Sequence, residues 1–285
     1  MTEYHNKKEI DNISKLIYSI LPDCCGVTLG GSRGYEVNDS ISDVELYFYV
    51  KNTLPKLEDL DKCLNSIGAK HQRSPEFLWN ELPWGPHSFF EAYGVNFEIG
   101  YRIVDEVIKQ IDDYLDGDVA VKLDCHDLSQ GYMRSGLLSS IINEKILISK
   151  DNSIEKLKEK SKKFPKKLEK HLIEEYLFNA KKLIDGKVLS AASRNDVIFF
   201  ENICNRVVRD LIVMAFAVEK KHFPGDKWNE ILILRGNCNE KYIFIKKIKD
   251  FYVYRGAPEV SLLNRRNFLL EAYNLIIESL KLNIR

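Results

Sequence analysis

Asp43 and Glu45 stand one residue apart in SDVELYFYV, downstream of the small-residue run Gly30-Gly31-Ser32. The whole segment, Leu29 to Val50, reads as a strand, a turn, a polar loop and a second strand. Strand side chains alternate, so Asp43 and Glu45 share one face while Val44 and Leu46 share the other. Two adjacent carboxylates repel each other. A divalent cation between them removes the repulsion, and Mg²⁺ takes oxygen ligands of this kind alongside substrate phosphates. Gly30, Gly31 and Ser32 make a turn whose backbone can come close to a phosphate. A phosphate-approaching turn followed by a metal-binding strand points to phosphoryl or nucleotidyl transfer.

Glu98 adds a third carboxylate. It lies in VNFEIGYRIV (Val95 to Val104), where Phe97, Ile99 and Tyr101 form one face and Asn96, Glu98 and Gly100 the other. Alone it would read as a surface residue on an edge strand. With the other two, it becomes one of three acids from neighbouring strands that can converge on two cations roughly 4 Å apart.

The elements that must position these residues follow from periodicity. Ile10, Ile13, Leu16, Ile17 and Ile20 have helical spacing, so residues 6–20 form an amphipathic helix ended by Pro22. Val27 to Leu29 and Ile41 to Val50 read as strands, and Leu57 to Ile67 as a helix stopping near Gly68. Residues 71–96 read as irregular, and a helix is expected at about 104–115. After a short strand, Lys145 to Ser149, nearly everything is helical: 153–164, 166–185 with a stop at Gly186, 193–222, 226–235, 239–250 and 258–281. The domain boundary is expected near residue 150, with a helical bundle beyond it.

Composition narrows the function classes. The 285 residues balance 42 Lys+Arg against 42 Asp+Glu, which weighs against a broad nucleic-acid binder. No apolar run is long enough for a membrane span, and the start lacks a signal-peptide core. The six scattered cysteines contain no CxxC pair, which favours buried thiols in a reduced cytoplasmic setting. His87 and His126 lack metal-ligand spacing, and Asp124 and Asp127 have no evident role. Arg194 and Asp196 open the long helix of the second half, where Asp196 reads as a cap. The loop Trp79 to Tyr93 could stack a base or simply cover the sheet.

Gly30-Gly31-Ser32, Asp43-Val44-Glu45 and Glu98 in NFEIGYR together resemble the minimal nucleotidyltransferase superfamily related to DNA polymerase β, which includes the kanamycin and lincosamide nucleotidyltransferases. GYMRSGLLSSIINEKILISKD (Gly131 to Asp151), the following KLKEKSKKFPKKLEKHL, and Ser193 to Trp228 resemble the helical half of bacterial nucleotidyltransferases. The likeness therefore spans most of the chain. Glu45 departs from the commoner Asp, keeping an oxygen ligand on a longer arm.

The resemblance implies an α+β protein. Residues 1–150 would be a nucleotidyltransferase catalytic domain, a mixed sheet flanked by helices, and residues 151–285 a helical bundle. Gly31 and Ser32 would hold the phosphates of a nucleoside triphosphate. Asp43 and Glu45 would ligate Mg²⁺, two ions being expected, and Glu98 would complete the metal site and take the acceptor's proton. Arg33 could neutralise a phosphate or form a surface ion pair. Lys227, beside Trp228, could reach the triphosphate or be an ordinary exposed lysine. The expected reaction moves AMP from ATP, or another nucleotide, to a hydroxyl of a small molecule such as an aminoglycoside- or lincosamide-like antibiotic. The alternatives are a protein or tRNA acceptor, and a catalytically silent nucleotide-binding protein. A cytoplasmic monomer or homodimer is expected, with no membrane partner.

Overall fold

A computed structural model describes residues 7–71, 85–122, 131–235, 239–255 and 260–283. The architecture is α+β, and the chain divides into two compact units. The first comprises Met1–Asp113 and Leu137–Lys163, and the second Tyr114–Gly136 and Phe164–Arg285. Trp79, His126, Asp124 and Asp127 lie outside the described residues.

The first unit is built on a mixed six-stranded sheet. Its strands are β1 (Cys24–Leu29), β2 (Val44–Val50), β3 (Lys70–His71), β4 (His87–Ala92), β5 (Val95–Ile103) and β6 (Lys145–Ser149), in the order β3-β4-β5-β2-β1-β6. β2 and β5 are parallel and central, and the other pairs are antiparallel. One face is apolar. Val44, Leu46, Phe48 and Val50 of β2 and Phe97, Ile99 and Tyr101 of β5 are buried in one cluster with Ile13, Ile17, Leu60 and Leu64. Those four come from α1 (Lys7–Ser19) and α3 (Leu57–Ser66), whose apolar residues recur every three or four positions and so face the sheet together. Each such buried side chain is worth about 1.5–3 kcal/mol.

Three expectations change in this unit. The strand expected from Ile41 begins at Val44. Ile41 is 90% exposed, and Asp39 accepts hydrogen bonds from the Ile41 amide and the Ser42 hydroxyl, closing a local turn in place of a ladder. Residues 87–92, expected to be irregular, form β4, which returns to β5 through Tyr93 and Gly94. Both turn residues have positive φ, 55° and 73°, as a tight two-residue hairpin turn requires. Residues 134–143, for which no element was expected, form α5 (Arg134–Asn143).

The second face of the sheet carries a buried polar network. Arg102 Nη1 donates to Glu144 Oε1 and to the Tyr49 hydroxyl, each at 2.6 Å. Glu144 Oε2 accepts from Thr28 and Tyr49, each at 2.7 Å, and Oε1 also accepts from Ser140 at 2.7 Å. Lys158, on α6 (Ser153–Ser161), donates to the Glu144 carbonyl. A buried ion pair depends on hydrogen bonds to its remaining lone pairs and protons; these bonds satisfy both Glu144 oxygens, while the Arg102 Nε proton has no partner among the described residues.

The second unit is helical among the described residues. Lys166–Leu172, Phe178–Leu183 and Leu189–Ser193 are α-helical and are joined by the π-helical turns Ile173–Leu177 and Ile184–Val188. The helix does not stop at Gly186 as expected. A mid-helix glycine costs about 1 kcal/mol, and burial of Ile184, Val188 and Ala191 on the inner side of the same turns outweighs it. Val197–Val218 forms the core helix, packed on Leu262–Asn283 and capped by Asp196, whose carboxylate accepts from the Phe199 amide. Arg265 of the second helix makes a buried, forked ion pair with Glu201 of the first.

Burial pushes the Glu144 carboxyl up, but Arg102 and the Tyr49, Ser140 and Thr28 hydrogen bonds outweigh it and hold it below its ordinary value of 4.5. The folded state therefore binds this proton less readily than the unfolded chain. The stabilisation is complete above pH 4.5 and is lost as pH falls through the folded value. Glu144→Gln leaves Arg102 buried without its charge partner and is expected to cost about 3–5 kcal/mol at neutral pH. Thermal unfolding from pH 7 downward should show its deficit against the native protein shrinking below pH 4.5. A deficit that stays constant down to acid would contradict the assignment.

Candidate active site

The register of the central strand pair brings the acids together. In the parallel ladder Glu45 lies opposite Glu98, and Asp43 immediately precedes the first residue of β2. One carboxylate oxygen from each of Asp43, Glu45 and Glu98 lies within 4.8 Å of the others. Glu98 is on an interior strand and not an edge one. Its side chain keeps 25% of its surface accessible, which leaves the cluster open to a ligand.

The glycine turn packs directly on these acids. The Gly30 amide donates to the Glu45 carbonyl at 2.9 Å, closing β1 onto β2. Gly31 has φ +54° and opens a short helical turn, Gly31–Gly34. A Cβ on Gly31 would lie 1.9 Å from Glu45 Oε1, and one on Gly30 would lie 2.3 Å from the Tyr47 ring. Both glycines are therefore required by the side chains of the acidic strand, whatever else the turn binds. Ser32 is buried, and its hydroxyl has no hydrogen-bond partner among the described residues. A buried hydroxyl left without a partner costs about 1–3 kcal/mol, so a ligand oxygen there would relieve a real penalty. Arg33 is turned inward: its Nε donates to the Asp43 carbonyl at 3.3 Å and braces the loop that carries this acid. Lys227 belongs to the second unit, where its ammonium lies 5.8 Å from the centre of the Trp228 ring.

Several site residues escaped sequence reasoning. Tyr47 shares the face of Glu45 and donates to its Oε2 at 2.8 Å. Burial, and then the Glu45 charge, pushes the Tyr47 phenol well above its ordinary value, so it remains a donor. The Arg102 guanidinium lies 3.7 Å from the centre of the Tyr47 ring. His87 is buried, with Nδ1 2.8 Å from the Gly85 carbonyl and Nε2 3.4 Å from Glu98 Oε1. A carbonyl only accepts, so Nδ1 carries the proton. Burial, reinforced by Arg102 and opposed by the Gly85 bond, pushes the His87 pKa down to about 4. The neutral ring thus turns a lone pair toward the carboxylate, so the contact is not an ion pair at neutral pH. The Tyr93-Gly94 turn was the available signal. Counting back from it along β4 places Phe89 opposite Glu98 and His87 opposite Gly100.

Three carboxylates on or next to adjoining strands, with a tight turn against them and a hydroxyl that has no partner among the described residues, fit hard divalent cations and phosphate oxygens. Residues 132–229, roughly a third of the chain, match a family model described as a domain of unknown function, DUF4037. Comparison with curated protein sequences gives no match. Among solved structures, the chain is similar to a nucleotidyltransferase-like protein from Exiguobacterium sibiricum 255-15, with a TM-score of 0.44 and 12% identity over 95% of this chain and 75% of that one.

Gly31→Ala tests the packing of the turn. The new methyl group must displace the Glu45 carboxylate and adopt a left-handed backbone. The expected cost is about 1–3 kcal/mol, with a correspondingly lower unfolding temperature. An unchanged melting curve would show that the turn does not press on Glu45.

Proposed function

We propose that the protein is a nucleotidyltransferase that moves a nucleoside monophosphate, AMP from ATP, to a hydroxyl of a small molecule. An aminoglycoside- or lincosamide-like antibiotic is the proposed acceptor. The observation that carries the reading is the convergence of Asp43, Glu45 and Glu98 against the Gly31-Ser32 turn.

Asp43, Glu45 and Glu98 would hold divalent cations, with Mg²⁺ the proposed metal. When bound, such ions neutralise the triphosphate and lower the pKa of the acceptor hydroxyl. The protein's own part is placement and proton transfer. Ser32 would donate its buried hydroxyl to a phosphate oxygen, satisfying a group that has no partner among the described residues. The first amides of the Gly31–Gly34 turn have no preceding carbonyl within the helix, so they too are suited to phosphate oxygens. Arg33, by bracing the Asp43 carbonyl, fixes the loop between the turn and the acid. Glu98 would accept the proton of the acceptor hydroxyl. The acceptor oxygen then bonds to the α-phosphorus, the bond from that phosphorus to the bridging oxygen breaks, and pyrophosphate leaves with the electron pair.

The test is incubation with α-labelled ATP, Mg²⁺ and a panel of aminoglycosides and lincosamides. Label should appear in an acceptor with an equal amount of pyrophosphate, and Asp43→Asn should lower the rate by at least about a hundredfold. Pyrophosphate release that survives Asp43→Asn would sink the proposal.

A further inference from the structure

Glu45 reaches its position on a longer, more flexible arm than Asp43, and something must hold its carboxylate still. On one side the bare Cα of Gly31 walls Oε1. On the other the Tyr47 hydroxyl donates to Oε2 at 2.8 Å. The Tyr47 ring is itself fixed. It occupies a slot where a Cβ on Gly30 would come within 2.3 Å and one on Gly100 within 2.6 Å of ring atoms. The Arg102 guanidinium lies across its face at 3.7 Å, and Arg102 is anchored by Glu144, Tyr49 and Ser140.

We infer that Tyr47 is a positioning residue for metal binding: its hydroxyl sets the orientation of the Glu45 carboxylate, and the stacked Arg102 sets the orientation of Tyr47. This rests on the functional reading above. The chain of contacts runs from the sheet interior to the cation site without a break: Glu144, Arg102, the Tyr47 ring, the Tyr47 hydroxyl, Glu45. A hydrogen-bonded carboxylate is a pre-organised ligand, and loss of such a partner typically weakens metal binding by about tenfold to a hundredfold.

Tyr47→Phe isolates the hydroxyl. The ring, its slot and the Arg102 stack remain, so the unfolding temperature should change little. Tyr176→Phe is the control, because its buried hydroxyl donates to the Val119 carbonyl within the second unit and has no part in the contacts that hold Glu45. Mn²⁺ affinity, measured on each purified protein by the loss of free-ion paramagnetic resonance signal, is the readout. Tyr47→Phe should weaken Mn²⁺ binding by about tenfold or more, while Tyr176→Phe binds Mn²⁺ like the native protein but melts earlier. In turnover, the Tyr47→Phe defect should be overcome by raised metal concentration, a rescue that a purely structural role would not give. Equal Mn²⁺ affinity in the native protein and Tyr47→Phe would overturn this inference and leave the nucleotidyltransferase reading standing. Failure of the native protein to bind Mn²⁺ would overturn that reading, and this inference with it.

Discussion

The site depends on one pairing, the parallel ladder between β2 and β5, with Glu45 opposite Glu98. Two unit charges about 5 Å apart at an effective dielectric of about 20 repel by about 3 kcal/mol. A register in which two acids face each other must be imposed from elsewhere, and it is imposed from the other face. Val44, Leu46, Phe48 and Val50 on one strand and Phe97, Ile99 and Tyr101 on the other are all buried against α1 and α3. A slip of one residue would turn that whole set to the opposite face. At about 1.5–3 kcal/mol for each side chain, the apolar face outweighs the repulsion several times over. The core thus holds the carboxylates in an arrangement they would not adopt alone, and a cation could later relieve the remaining strain.

The polar face solves a second problem, how to end a buried surface at an open site. Moving along β2 from Tyr49 through Tyr47 to Glu45, the environment passes from a closed ion-pair network to an accessible carboxylate. Arg102 sits at the junction. It is charge-paired to Glu144 below and stacked on Tyr47 above. A positive charge beneath the acidic cluster also offsets part of its negative field, and the same charge helps to keep His87 neutral.

The three converging acids were the most legible in the sequence, and the side chains that support them were the least. Asp43, Glu45 and Glu98 were found by alternation, because period-two patterning survives in a single sequence wherever one strand face is apolar. The helices at 7–19, 57–66 and 104–115 were found by spacing for the same reason. β4 was missed because Pro and Gly residues upstream masked the one local cue, the Tyr93-Gly94 turn. Gly186 misled because glycine propensity is a weak local term that buried neighbours on a long helix override. Tyr47, Arg102 and Glu144 could not be joined from sequence at all. Arg102 and Glu144 stand 42 residues apart and the Glu144 bond to Thr28 spans 116, and nothing in the periodicity of β2 or β5 marks Glu144 as the acceptor of Arg102.

Gly30 and Gly31 show how a motif can be located correctly for an incomplete reason. A glycine pair before an acidic strand suggests backbone drawn close to a phosphate. Here the missing side chains are already accounted for by the protein itself, since Tyr47 fills the space beside Gly30 and the Glu45 carboxylate the space beside Gly31. The smallness of these two residues therefore cannot discriminate a phosphate-binding turn from a turn that merely packs on a strand. Ser32 can. It is buried, its hydroxyl has no hydrogen-bond partner among the described residues, and it stands one residue after the glycine that touches Glu45. Ser14 on α1 also has a buried hydroxyl with no partner among the described residues, so the weight of Ser32 comes from its place beside the acids, where a ligand oxygen could meet the donor. The serine hydroxyl beside the acids is the feature that favours an oxygen-rich ligand at this turn, and the glycines let the turn lie close enough to the acids for one ligand to engage both.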